Sequence, residues 1–164
     1  MLNQSLLPEF DHECATTRKV LAGVPDTALD WKPHEKSFSM QDLAAHTVNI
    51  LTWVGSTLEQ DELDMASGFE PTPTGTRDEL LAIFDANVAS ARAVLAGAED
   101  DNLMSTWSLR SGDDVLLSMP KIAVLRSFVL NHMIHHRGQL SVYLRLKDVP
   151  VPSIYGPSAD EQTF

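Results

Sequence analysis

Between Pro120 and Pro150 the chain contains no proline, and this stretch, KIAVLRSFVLNHMIHHRGQLSVYLRLKDV, constrains the fold more than any other. Proline breaks a helix because it lacks a backbone N–H and collides with the preceding turn. Without one, about seven helical turns can run on, and Pro120 itself fits a first turn, where its missing N–H costs nothing. Placed at roughly 100° per residue, Ile122, Leu125, Val129, His132, His136, Leu140 and Tyr143 fall on one stripe. Two histidines thus stand where an amphipathic helix would carry leucine. Val124, Phe128, His135, Val142 and Leu146 make a second apolar face. A helix apolar on two faces is expected to be buried on both. This segment therefore reads as a core helix that carries a site and offers its second face to a partner chain.

The remaining chain supplies three more helical patterns. Leu7, Phe10, Cys14, Thr17 and Leu21 recur at steps of three and four, which predicts a helix over 4–22, closed by Gly23 and Pro25. Ser39-Met-Gln-Asp42 is a capping box with Asp in the Glu place. The helix it opens runs to Glu59 with Leu43, Thr47, Ile50, Val54 and Leu58 inside. Thr76-Arg-Asp-Glu79 is a second box, followed by Leu80, Phe84, Val88, Ala91 and Leu95 to Gly97. Between helices, Pro25–Phe38 is a connector in which Trp31 plugs one end of the core. The acidic, Pro- and Gly-rich run over 59–75 reads as a loop. Over 99–118, Trp107 and Leu109 alternate with polar residues before SGDD and Val115-Leu-Leu, which predicts a short extended excursion or hairpin. The proline-rich tail is irregular, with Ile154 and Tyr155 packed on the body. Together these elements predict an all-α protein, a single domain over 1–164 built as a four-helix bundle with a short extended excursion before the last helix.

Charge narrows the partners. Twelve basic residues against 23 acidic ones give a net charge of −11. Such a surface repels phosphate backbones and anionic lipid, so neither nucleic acid nor membrane is expected as a partner. The segment MLNQSLLPEFDHE lacks the basic start and long apolar run of a signal peptide, and no stretch reads as a membrane span. The one cysteine, Cys14, cannot form an internal disulfide. This fits a reducing cytoplasm.

His132 and His136 are helix neighbours at i and i+4, a spacing at which two imidazoles can share one metal ion. His46, beside the inner stripe of the second helix, is the best third donor. His12, between two acidic residues, and His34, beside Pro33, read as solvated. Periodicity alone leaves His135 open, although it points away if His132 and His136 share an ion. Three neutral imidazoles suit Zn, Ni, Cu or Fe better than Mg or Ca, and three protein ligands leave coordination positions open. A ferritin-like site needs Glu-x-x-His pairs, and a zincin needs HExxH where this chain has Met133. Neither is present, and there is no phosphate-binding glycine loop and no GxSxG elbow.

The DWKP turn, the inward histidine of DLAAH and the segment LNHMIHHRGQLSVYLRLKDVPVP together resemble the DinB/YfiT-like family of metal-dependent enzymes. The likeness runs from the first helix to YGPSADE, and His132-x-x-x-His136-Arg137-Gly138-Gln139 is its most specific part. It implies an up-down-down-up order of helices, a homodimer, and one divalent ion, often nickel or zinc, on His46, His132 and His136. His135 matches a position that is not a ligand. Characterised relatives include transferases and isomerases that use low-molecular-weight thiols, so a small-molecule substrate and a thiol-dependent S-transferase or hydrolase activity are the expectations. The catalytic and thiol-binding residues are not identified by the likeness. Arg137 and Tyr143 lie near the site in sequence, with Arg137 equally suited to a surface or interface ion pair. Cys14, expected to be buried, is a poor nucleophile. The competing expectations are a non-catalytic dimeric module that binds metal or responds to stress, and a bundle without metal.

Overall fold

The computed structural model describes residues 1–68 and 75–162. Part of the expected loop, residues 69–74, and the last two residues of the tail lie outside them. Helix α1 spans Leu2–Ala22, and α2 spans Met40–Asn49. A 3₁₀ turn, Ile50–Thr52, links α2 to α3, Trp53–Leu58. The second predicted helix is therefore one path in three pieces. Its start is fixed as expected: Ser39 Oγ accepts from the Asp42 N–H at 3.0 Å, and Asp42 Oδ2 accepts from the Ser39 N–H at 3.3 Å. Helix α4, Arg77–Gly97, opens on the reciprocal Thr76–Glu79 box.

The rest departs from an all-α plan. A short strand, β1 (Glu62–Asp64), lies in the stretch expected to be loop. Helix α5 (Asp100–Met104) precedes the hairpin of β2 (Thr106–Ser111) and β3 (Asp114–Pro120). β1 pairs parallel with β2, and β2 antiparallel with β3, with a register shift at Leu109/Arg110. The molecule is thus mostly helical with a small three-stranded sheet. The hairpin turns at Gly112, whose φ of +60° lies where glycine meets no Cβ penalty. Its anchor is Trp107, which is fully buried and donates from Nε1 to the Ser56 carbonyl at 3.2 Å.

The proline-free segment is helical but not uniform. It begins as α6 (Lys121–Val124), passes through a π-helical stretch, Leu125–Leu130, and continues as α7 (Asn131–Leu146). The Asn131 N–H reaches back five residues to the Arg126 carbonyl. A π-turn holds an extra residue, so faces before and after it fall out of the register that a straight helix would keep. On α7 the buried set is Met133, His136, Arg137, Leu140 and Leu144. The second apolar face is covered only towards its start: Val124 is buried and Phe128 half-buried, whereas Val142 and Leu146 are 56% and 55% exposed among the described residues.

Helices α1, α2, α4 and α7 enclose the core, with α1 against α4 and α7, and α2 against the same two. Phe10, Leu43, Phe84, Met133 and Leu140 sit at its centre. By length and composition alone α4 is apolar enough to cross a membrane, which the sequence reading did not anticipate. It buries Leu80, Phe84, Ala91 and Leu95 against its neighbours. Ion pairs from Arg18 to Asp85 and from Arg92 to Asp11 tie it to α1. Trp31 is half-buried against the core and meets the Tyr143 ring edge-on at 5.5 Å.

Candidate metal centre

Two helices bring three histidines to one point. α2 contributes His46, and α7 contributes His132 and His136. Their capable ring nitrogens all lie within 4.8 Å of one another. His46 Nε2 is 3.3 Å from His132 Nε2. The His136 ring centroid lies 4.6 Å from each of the other two. Ligands at 2.0–2.1 Å in tetrahedral arrangement are separated from each other by roughly 3.3 Å, so this spacing fits a common ion. His136 is buried at 8% exposure, and His46 and His132 are half-buried.

Two of the rings are oriented from behind. His136 Nδ1 pairs with Gln139 Oε1 at 2.7 Å; as the acceptor, the amide oxygen fixes the proton on Nδ1 and leaves Nε2 bare. The His132 ring donates to the backbone of Phe128, one turn earlier. A neutral imidazole has one N–H, so the nitrogen facing His46 is left as a lone pair. Burial favours these neutral forms. Desolvation, then repulsion from His132, holds the His46 imidazole below its usual value. Desolvation lowers His132 as well, against the Phe128 hydrogen bond that raises it. His136 is pushed down to about 4, by desolvation first and then by His46, His132 and His135, with Gln139 acting the other way. Three neutral imidazoles therefore meet at neutral pH, two of them with a lone pair fixed toward the others, which is a donor set suited to a borderline divalent ion.

A cavity of about 80 Å³ opens beside the triad, lined by His46, Asn49, Ile50, Trp53, Phe128 and His132. A shallow groove on the far side of Phe128 and His132 is lined by Ser127, Asn131 and His135. Trp53 and Phe128 lie nearly parallel, 16° apart in plane at 6.4 Å, and Trp107 backs Trp53 at 6.1 Å. The hairpin thus braces one wall of the site.

The sequence-derived candidates fall out unevenly. His46, His132 and His136 come together, and His135 is exposed at the groove, its ring 5.0 Å from His136. His12 and His34 are exposed as expected. Tyr143 is not part of the cluster; its hydroxyl donates to the Phe38 carbonyl at 3.2 Å. Arg137 is neither a surface nor an interface residue. It is 1% exposed, and its Nη1 lies 2.7 Å from Glu13 Oε2. Its Nη2 donates to the Tyr155 hydroxyl at 2.7 Å, and that hydroxyl donates to Glu13 Oε2 at 2.9 Å. Cys14 is buried, and desolvation together with Asp11 and Glu13 pushes its thiol up to about 12, which removes it as a nucleophile. Sequence reasoning named Gln139 in a motif without giving it a role, and missed Asn49 and Trp53. All three were within reach of it: Gln139 follows His136 by three residues, and Asn49 and Trp53 follow His46 by three and seven, positions that share a helix face.

A family model described as the DinB family matches residues 1–163. An uncharacterized protein, YrdA of Bacillus subtilis, is 26% identical over 157 residues, covering 94% of this chain and 89% of its own. Among solved structures, a DinB-like protein of Bacillus cereus ATCC 10987 superimposes with a TM-score of 0.72 at 23% identity, covering 93% of this chain and 97% of that one. A DinB-like protein of Bacillus subtilis, YjoA, gives 0.70 at 19%, covering 97% and 99%.

Proposed function

The chain belongs to the DinB family, and from that premise we propose that it is a divalent-metal-dependent enzyme whose ion is held by His46, His132 and His136. The convergence of three neutral imidazole donors on one point carries the reading. Nickel or zinc suits such a donor set, and three protein ligands leave positions for an exchangeable group. When bound, the ion supplies Lewis acidity that lowers the pKa of a thiol or a water brought to it. The chain does the rest. Gln139 and the Phe128 backbone hold two of the rings in the donor tautomer, and Ile50, Trp53 and Phe128 keep bulk water from one side. The groove at Ser127, Asn131 and His135 admits a small substrate from the other. The reaction class we propose is S-transfer from a low-molecular-weight thiol, or hydrolysis. The fold is read as a single domain, an up-down-down-up four-helix bundle carrying a sheet insertion, in a soluble, cytoplasmic protein.

The deciding experiment is elemental analysis of untagged protein, followed by thiol consumption with a panel of thiols and electrophiles. About one equivalent of nickel or zinc, with turnover lost in His46→Ala, supports the enzyme. Metal present without turnover, in a coordination sphere closed to water in the cobalt-substituted form, favours a non-catalytic metal-binding or stress-response module instead. Metal absent throughout sinks both. The uncovered Val142 and Leu146 on α7 support a homodimer through this face. Light scattering on Val142→Asp, compared with the parent, tests it.

A further inference from the structure

A pocket that opens beside two of the site histidines and is walled mainly by apolar side chains favours an apolar occupant over water. The space beside the triad is about 80 Å³. Its walls away from the histidines are Ile50, Trp53 and Phe128, with only the Asn49 amide between them. That amide already donates to the Ala45 carbonyl at 2.9 Å, so it is anchored to its own helix. A cavity of roughly 150 Å³ admits a benzene ring; about half that volume holds a chain of about four carbons and excludes an aromatic ring. His46 and His132 form part of the same wall, so the end of such a chain lies beside their facing nitrogens. Phe128 and His132 also border the outer groove, where Ser127, Asn131 and His135 present polar groups to whatever extends beyond the chain.

We infer that the substrate carries a short aliphatic arm, up to about four carbons long, which seats against Ile50, Trp53 and Phe128 and sets its reacting atom at the histidines. The inference rests on the metal-site reading above and names the substrate class for it. Trp53 is the residue that measures the arm, because its ring lines the cavity and is held from behind by Trp107.

The test is a chain-length series. Metal-free protein is titrated with 1-alkanols from ethanol to octanol, and zinc-loaded protein with the matching 1-alkanethiols, by calorimetry and tryptophan fluorescence. The expected result is a rise of about fourfold in affinity per methylene that stops near butyl in both series. Trp53→Ala, with folding checked by its melting curve, moves the break to longer chains; Ile50→Val moves it less and serves if Trp53→Ala does not fold. Affinity that ignores chain length, or climbs steadily to octyl as in surface partitioning, overturns the inference. So does a break that stays in place in a folded Trp53→Ala. Failure of zinc to bind overturns the metal reading, while the alkanol series still decides whether the cavity selects short chains.

Discussion

His136 and Arg137 are one peptide bond apart and serve two faces of α7, about 100° from each other. The His136 ring joins His46 and His132, while the Arg137 guanidinium reaches α1 and sits 2.7 Å from Glu13 Oε2. The helix that carries two of the three imidazoles is therefore fixed to α1 by an ion pair on its second face. Tyr155 of the tail completes the fixing, its ring 5.1 Å from the guanidinium carbon.

Breaking one side of that pair leaves a buried charge without its partner. Arg137→Met is expected to cost about 3–5 kcal/mol, and the double change Glu13→Leu with Arg137→Met much less. Tyr155→Phe removes a hydroxyl bonded to both charges and is expected to cost about 0.5–1.5 kcal/mol, because Tyr155 is 60% exposed and water can take the hydroxyl's place. Urea unfolding of the four proteins checks this. With Glu13→Leu added to the series, a double variant that loses as much stability as the two single changes summed would mean the pair is not coupled.

Metal binding to the native state alone stabilises it by mass action. Zinc or nickel at about a hundred times its dissociation constant adds about 2.7 kcal/mol, or about 5–10 °C in melting temperature for a chain of this size. Calorimetric scans with and without metal measure it. His46→Ala, His132→Ala and His136→Ala should each abolish the shift, whereas His135→Ala should keep it.

Gln139 acts through His136. Its Oε1 holds the Nδ1 proton at 2.7 Å, and without it the ring is free to turn or change tautomer. Gln139→Leu is expected to weaken metal binding by about 10–100-fold. Because Gln139 is exposed, the melting temperature of the metal-free protein should barely change. Competition with a chromophoric chelator gives the first quantity, and a scan gives the second.

Acid should act on the triad before it acts on the carboxylates. In the unfolded chain the histidines take up protons near 6.5, but His136 in the folded chain resists until about 4. Between those values the unfolded state holds more protons, so stability falls as pH drops through this window and is flat above it. Asp64, Asp85 and Asp160 are held below the ordinary carboxylate value, so their contribution is lost at still lower pH. Urea midpoints of metal-free protein from pH 8 to pH 4 check the slope, which His136→Gln should reduce. Bound metal should likewise leave only at a pH below 6.5.

The helices and the triad were legible in the sequence because both follow from spacing. Capping boxes at Ser39 and Thr76 mark two starts, and His132 and His136 stand where leucine belongs. The pairing of Arg137 with Glu13 was not legible: each sits among polar residues, and only the meeting of α1 and α7 makes them partners. β1 and α5 are too short for any periodicity to build up. Nothing in LRSFVL distinguishes a π-turn from an α-turn, since no glycine or proline marks it.

That wider turn sets an angular phase. Everything from α6 backwards, including the hairpin that braces Trp53, is offset from α7 by the roughly 100° that one residue occupies. A chain one residue shorter between Leu125 and Leu130 would wind straight, and it would have to swing either the imidazoles away from His46 or the hairpin away from α3. The histidine geometry is thus written in the length of this segment as much as in its side chains.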